Sequence, residues 1–341
     1  MGAKKRCKTI VSHMKHPIIT SIGLAVLASV SLVTPASAGR LITTTTDSFG
    51  SGANAFTMKF VTVGNPGNDP DTTGAPNPAG AVASAFRMST YEVSTAMVSK
   101  TNAPPGGLGI TLDDRGADKP ATSVSWNEAA RFVNWLNASS GSVAAYKFTT
   151  GGVNDNIALW TSGDDGYNAA NPFRNSNAKY FLPSENEWYK AAYYSGTGST
   201  YYDYATGDSV PTAVASGTSG AVYNGQSGPA DITSAGGLSP YGTMGQGGNA
   251  WEWMETNSSG TNNSSDWTRG LRGGSWNYGG GVLDLASSLR VDYDPSNESY
   301  DIGFRVASSE LAAVPEPTTL LSTLALVSSG LLLRRRGKVS L

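Results

Sequence analysis

The chain has 341 residues, with 24 Lys+Arg against 26 Asp+Glu, 41 glycines and one cysteine. The charge is uneven: Arg40 to Pro317 holds 15 Lys+Arg and all 26 Asp+Glu, a net charge near −11. An acidic surface opposes counterion-release binding, so nucleic acid is excluded as a partner. The length allows one large domain or two small ones, and no internal repeat is evident.

The N-terminus reads as a cleaved secretory signal. Lys4, Lys5, Arg6, Lys8 and Lys15 precede an apolar stretch from Ile18 to Val33, and Ala36-Ser37-Ala38 is a small-x-small exit. Residues 1–38 are therefore expected to leave with cleavage after Ala38. Cys7, His13 and His16 are the only cysteine and histidines, and all lie in this segment. The exported chain then has no thiol and no imidazole. That excludes a cysteine nucleophile, a Ser-His-Asp triad, a histidine base, and thiolate or imidazole sites for zinc or copper. Without disulfides in an oxidising compartment, the fold must rest on its core or on a hard cation.

Met58 to Val63 alternates and predicts a strand; Phe86 to Val93 predicts a second. Gly64 to Gly80, rich in Gly, Pro, Asn and Asp, predicts a surface loop. Ser94 is placed to cap a short helix through Met97 and Val98. Ser125-Trp126-Asn127-Glu128 is a capping box for a helix with Trp126, Ala130, Val133 and Leu136 on one face. Ser184-Glu185-Asn186-Glu187, after Pro183, is a second, opening a helix from Trp188 to Tyr194 that Gly196 stops. Thr197 to Gly248 is nearly all turn formers. This order predicts an irregular, loop-rich α+β domain, not a Rossmann or TIM pattern.

At the C-terminus, Val314-Pro315-Glu316-Pro317 is followed by a mostly apolar run from Thr318 to Leu333, then Arg334-Arg335-Arg336. The run is slightly short for a spanning helix, and the arginines favour a cytoplasmic end.

Five segments in order resemble the formylglycine-generating enzyme, or sulfatase-modifying factor, family. They are Tyr91-Glu92-Val93-Ser94; Pro120 to Asn137; Phe181 to Ala192; Gly247 to Trp253, reading GGNAWEW; and Leu271 to Trp276, reading LRGGSW, closed by Ile302-Gly303-Phe304-Arg305-Val306. The resemblance implies a C-type-lectin-like α+β fold over residues 39–310. It also implies a copper site made by two cysteines after the Gly-Gly-Ser motif. Here Tyr278 and Leu283 stand at about those positions, so no copper, no formylglycine-forming activity and no catalytic residue are expected. A further feature implied by the resemblance is calcium, held here by Gly248, Ala250 and Glu252, although Gly245 replaces a ligand side chain. The domain requires no cofactor on this reading, and calcium is the one it could hold. Trp251, Trp253 and Trp276 are expected mostly in the core, and Arg290 and Arg305 as bridges between loops. A ligand pocket is expected around Asn249, Trp276 and Arg290.

The tail, residues 314–341, resembles the PEP-CTERM sorting signal: Pro315-Glu316-Pro317, an apolar helix and a basic end. That resemblance implies an exosortase-like protease as partner, transient anchoring in the inner membrane through the C-terminal helix, and delivery to the envelope or outside. The resulting expectation is an exported, non-catalytic binding or scaffolding module for an exopolysaccharide or an envelope protein. An enzyme of the same fold with cysteine-independent chemistry and a purely structural matrix domain are the alternatives.

Overall fold

The computed structural model describes residues 42–74, 76–277 and 281–310. Ala38, Tyr278 and Pro315-Glu316-Pro317, with the expected signal and tail, lie outside the described residues. Among the described residues no helix is long and apolar enough to cross a membrane.

Among the described residues nine strands form two sheets. Strands β1 (Thr44–Phe49), β2 (Phe56–Val63), β3 (Phe86–Ser89), β4 (Tyr180–Phe181) and β9 (Ala307–Ser309) make the first, in the order β1-β2-β3-β9-β4. Strands β5 (Trp251–Asn257), β6 (Arg269–Arg272), β7 (Val291–Tyr293) and β8 (Ile302–Phe304) make the second, in the order β7-β6-β5-β8. Only β5 and β8 pair in parallel. Strand β2 shows why alternation matters: Phe56, Met58 and Phe60 turn inward while Thr57 and Lys59 face solvent.

The helices are α1 (Thr95–Asn102), α2 (Trp126–Ser139) and α3 (Glu185–Tyr193). Each begins where a serine was expected to cap it. Ser94 accepts from the Met97 amide, and Ser125 and Ser184 form complete capping boxes with Glu128 and Glu187. Buried tryptophans tie the helices to β5. The Trp126 indole donates to the Met254 carbonyl, and Trp188 donates to the Glu252 carboxylate. In return Trp253 of β5 donates to the Val124 carbonyl before α2. Each indole thus buries its rings without orphaning its N–H.

Three expectations need correction. The strand expected over Phe86 to Val93 ends at Ser89. Beyond it the backbone changes partners, with the Thr90 amide bonding Lys59 and the Val93 amide bonding Phe304. The helix expected from Trp188 starts at Glu185, directly after its cap, and ends at Tyr193. The loop from Gly64 to Gly80 is not wholly superficial. Asn68, Asp71 and Ala79 are buried, and Asp71 accepts from the Tyr189 hydroxyl of α3. Between residues 197 and 248, as expected, there are only turns and isolated bridges.

Candidate functional site

The chain crosses from the second sheet to the first between Phe304 and Ala307, and Arg305 sits on that corner. Its Nε and Nη2 reach Glu252 of β5 at 2.6 Å each. Its remaining donors go to the carbonyls of Ser89, at the end of β3, and Met244. Arg305 and Glu252 are both fully buried, so the pair joins the two sheets out of contact with water. Arg272 and Arg290 share Glu185 at the start of α3, and Arg174 spans Glu187 and Glu255. These arginines act as loop and sheet bridges, as expected for Arg290 and Arg305.

The residues expected to form a pocket are not brought together as a cavity. Asn249, at φ +69°, is fully buried. Its amide donates to Glu92 at 2.6 Å and accepts from the Ala230 amide at 2.7 Å. The Trp276 amide donates to the Asn249 carbonyl, which joins these two. Arg290 is committed elsewhere, to Glu185 at 2.9 Å and to the Asn257 carbonyl. Glu92 is enclosed beside this cluster. Burial first, and the nearby Glu252 charge second, push its carboxyl well above the ordinary 4.5.

A different site is open. A cleft of about 490 Å³ lies between β7, the loop that leads into β8, and the short 3-10 turn Gly281–Leu285. Its walls include Trp251, Tyr293 and Tyr300, with Asp284, Glu298 and Asp301 among its polar groups. The turn carrying Asp284 packs close because residue 274 is glycine. At φ +74°, a Cβ there would meet Leu285 Cδ2 at 2.9 Å and Asp284 Cβ at 3.1 Å. Asp301 is held by the hydroxyls of Ser275 and Ser299 at 2.9 and 2.7 Å. Glu298 accepts from Asn154. Among the described residues none donates a hydrogen bond to Asp284, and its Oδ2 is out of solvent contact. Burial alone raises its carboxyl above the ordinary 3.8. Trp276 meets the cleft indirectly, edge-on to Tyr300 at 6.0 Å, and Arg115 lies 5.8 Å from the Tyr300 ring centre.

The sequence reading missed Asp284, Tyr293 and Tyr300. None lies in a periodic segment or a motif, so no local signal separates them from ordinary surface residues. Trp251 is one of three tryptophans expected mostly in the core, with one of the three at a pocket.

The profile of the sulfatase-modifying factor enzyme 1-like domain, FGE-sulfatase, matches residues 54–310. The chain belongs to this family. Treponema denticola variable protein 1 resembles this family member with a TM-score of 0.55 at 21% identity, covering 78% of this chain and 99% of its own. The likeness is one of fold, and it agrees with the loop-rich, C-type-lectin-like architecture. CarF aligns with a TM-score of 0.49 at 21% identity, over 74% of this chain and 98% of its own. PvdO from Pseudomonas aeruginosa gives 0.47 at 17%, over 77% and 98%. No curated protein sequence matches the chain.

The metals that the family resemblance implies can be tested against these side chains. Leu283 stands about where a copper thiolate is expected, but it has no donor atom and is exposed. The cleft beside it offers oxygen donors, which do not suit copper(I). The calcium set fits no better. Both oxygens of Glu252 are already taken by Arg305, and one also by Trp188, so the guanidinium is the counter-charge. Gly245 is equally unsuited, since a Cβ there would lie 2.8 Å from the Glu92 carboxylate.

Proposed function

We propose that this family member is an exported, non-catalytic module that binds a glycan of the cell envelope or its matrix. The observation that carries the proposal is the cleft, lined by Trp251, Tyr293 and Tyr300 together with Asp284, which accepts no hydrogen bond among the described residues. Sugars offer C–H faces to aromatic rings and hydroxyl donors to carboxylates, and a cleft near 490 Å³ is of ordinary ligand size. Within the cleft Asp301 and Glu298 are already hydrogen-bonded, which leaves Asp284 alone. Oxidation of a client cysteine to formylglycine is disfavoured by the chemistry of Leu283 and by the lack of any cysteine after Cys7.

The test is affinity electrophoresis and calorimetry of the exported protein with soluble polysaccharides. Retention by at least one glycan is expected, with a loss of tenfold or more in Tyr293→Ala/Tyr300→Ala. Tenfold corresponds to about 1.4 kcal/mol of lost contact. Failure to bind any glycan overturns the proposal, and release of new reducing ends would replace it with the enzyme reading.

Export and sorting belong to the same proposal. Cleavage after Ala38, a transient inner-membrane stage through residues 318–333, and processing near Pro315-Glu316-Pro317 by an exosortase-like protease would deliver the module to the envelope or medium. The support is the order of charged, apolar and proline-containing segments in the sequence. Intact-mass measurement of the protein from envelope and medium tests it. A mature form that keeps Arg334 to Leu341 overturns the processing step.

A further inference from the structure

We propose that the glycan recognised by this cleft carries free amines, as a deacetylated amino sugar does, and that Asp284 receives the ammonium group. The inference rests on the glycan-binding reading and names the chemistry of its ligand.

Three observations carry it. The residues lining the cleft include three carboxylates and no Lys or Arg. Asp284, alone of the three, accepts no hydrogen bond, and an ionised carboxylate left without a partner in a partly buried position is costly. An ammonium supplies both the donors and the opposite charge that this carboxylate lacks. Trp251, Tyr293 and Tyr300 line the cleft, and aromatic rings attract cations.

The surroundings agree. Arg115, 5.8 Å from the Tyr300 ring centre, has its Nε bound to Asp113 at 2.7 Å and stacks on Trp276, so its charge is balanced locally. Arg290, next to the lining residue Val291, is paired with Glu185, which it shares with Arg272, and lies 3.7 Å from Asp292. At longer range the net charge near −11 between Arg40 and Pro317 draws a cationic chain toward the domain. An acidic glycan would meet the opposite: like charge in the cleft and like charge around it. A fully acetylated or neutral glycan could stack on the rings but would leave Asp284 without its counter-charge.

The experiment compares glucosamine oligomers with N-acetylglucosamine oligomers of equal length, by calorimetry on the full exported protein. Tighter binding of the glucosamine series by tenfold or more is expected, with the gap narrowing as salt rises. Asp284→Asn should remove the gap by weakening the glucosamine series far more than the acetylated one. Asp69→Asn, which removes the same charge from an exposed loop, should leave the gap intact and so separate local recognition from general attraction. Melting curves for both variants establish that they fold. Equal affinity for the two series, or a gap that survives Asp284→Asn, overturns the amine inference but leaves the glycan reading standing. Binding of acidic or neutral glycans alone has the same effect. Failure of every glycan to bind removes both.

Discussion

Glu252, in the seam between the two sheets, accepts three hydrogen bonds and faces a fully buried guanidinium at 2.6 Å. Asp284, in the wall of the cleft, accepts none. Both are carboxylates of one domain, but they serve different ends. In the seam every charge is matched, so exchanging a partner damages the fold and exposes no new chemistry. In the cleft Asp284 has no counter-charge among the described residues, and with Oδ2 out of solvent contact only Oδ1 is left to a ligand. The GGNAWEW motif shows why motif residues mislead about sites: its glutamate is structural, and the uncommitted acid lies outside it.

The largest effect should come from the seam. Arg305→Leu leaves Glu252 buried and unpaired, a loss of about 3–5 kcal/mol in chemical unfolding. A loss below about 1 kcal/mol would mean that water or another cation reaches Glu252, and the contrast with Asp284 would fail.

Glu92 tests the same region through pH. Its carboxyl lies well above 4.5 in the folded protein, so the native state holds a proton that the unfolded chain has released. Stability therefore falls as pH rises from about 4.5 through the folded value, and the penalty disappears in more acid solution. Glu92→Gln is expected to raise Tm at neutral pH, with the gain shrinking toward pH 4. A gain of equal size at every pH would count against a protonated Glu92.

Smaller again are the helix starts. Ser125→Ala should cost about 1 kcal/mol, since it removes the acceptor for the Glu128 amide. Thermal unfolding measures this, and no change would mean that the interior of α2 holds the first turn unaided.

The smallest expected effects are in the cleft. Tyr300→Ala should shift stability by no more than about 0.5 kcal/mol, because the ring is nearly half exposed at 47%. Its consequence should appear in glycan binding alone. Calcium should likewise leave the melting curve where a chelator leaves it, given that Arg305 already occupies Glu252. A calcium-dependent rise in Tm would show that the seam can exchange its guanidinium for a metal.

Local rules made much of the fold legible. Capping boxes at Ser125 and Ser184 specify helix starts because their hydrogen bonds span only three residues. Alternation in β2 specifies which face is buried, because side chains in a strand point to opposite sides in turn. The five segments identify the family for the same reason, each being read within a short window. The extent of Phe86 to Val93 was not legible, because β3 ends where distant strands cease to pair with it.

The candidate site was less legible still. The sequence alone determined the donor types available: no thiol or imidazole after His16, carboxylates in excess, and glycines where the backbone must approach closely. Tertiary structure decided which carboxylate is free. Glu252 is 53 residues from Arg305 and 64 from Trp188, and only packing brings the three together. Asp284 is left over by the same packing, because Gly274 lets its turn settle against the cleft wall where no donor reaches it. Charge matching in a folded chain depends on distances between residues far apart in sequence, and no local pattern encodes those distances.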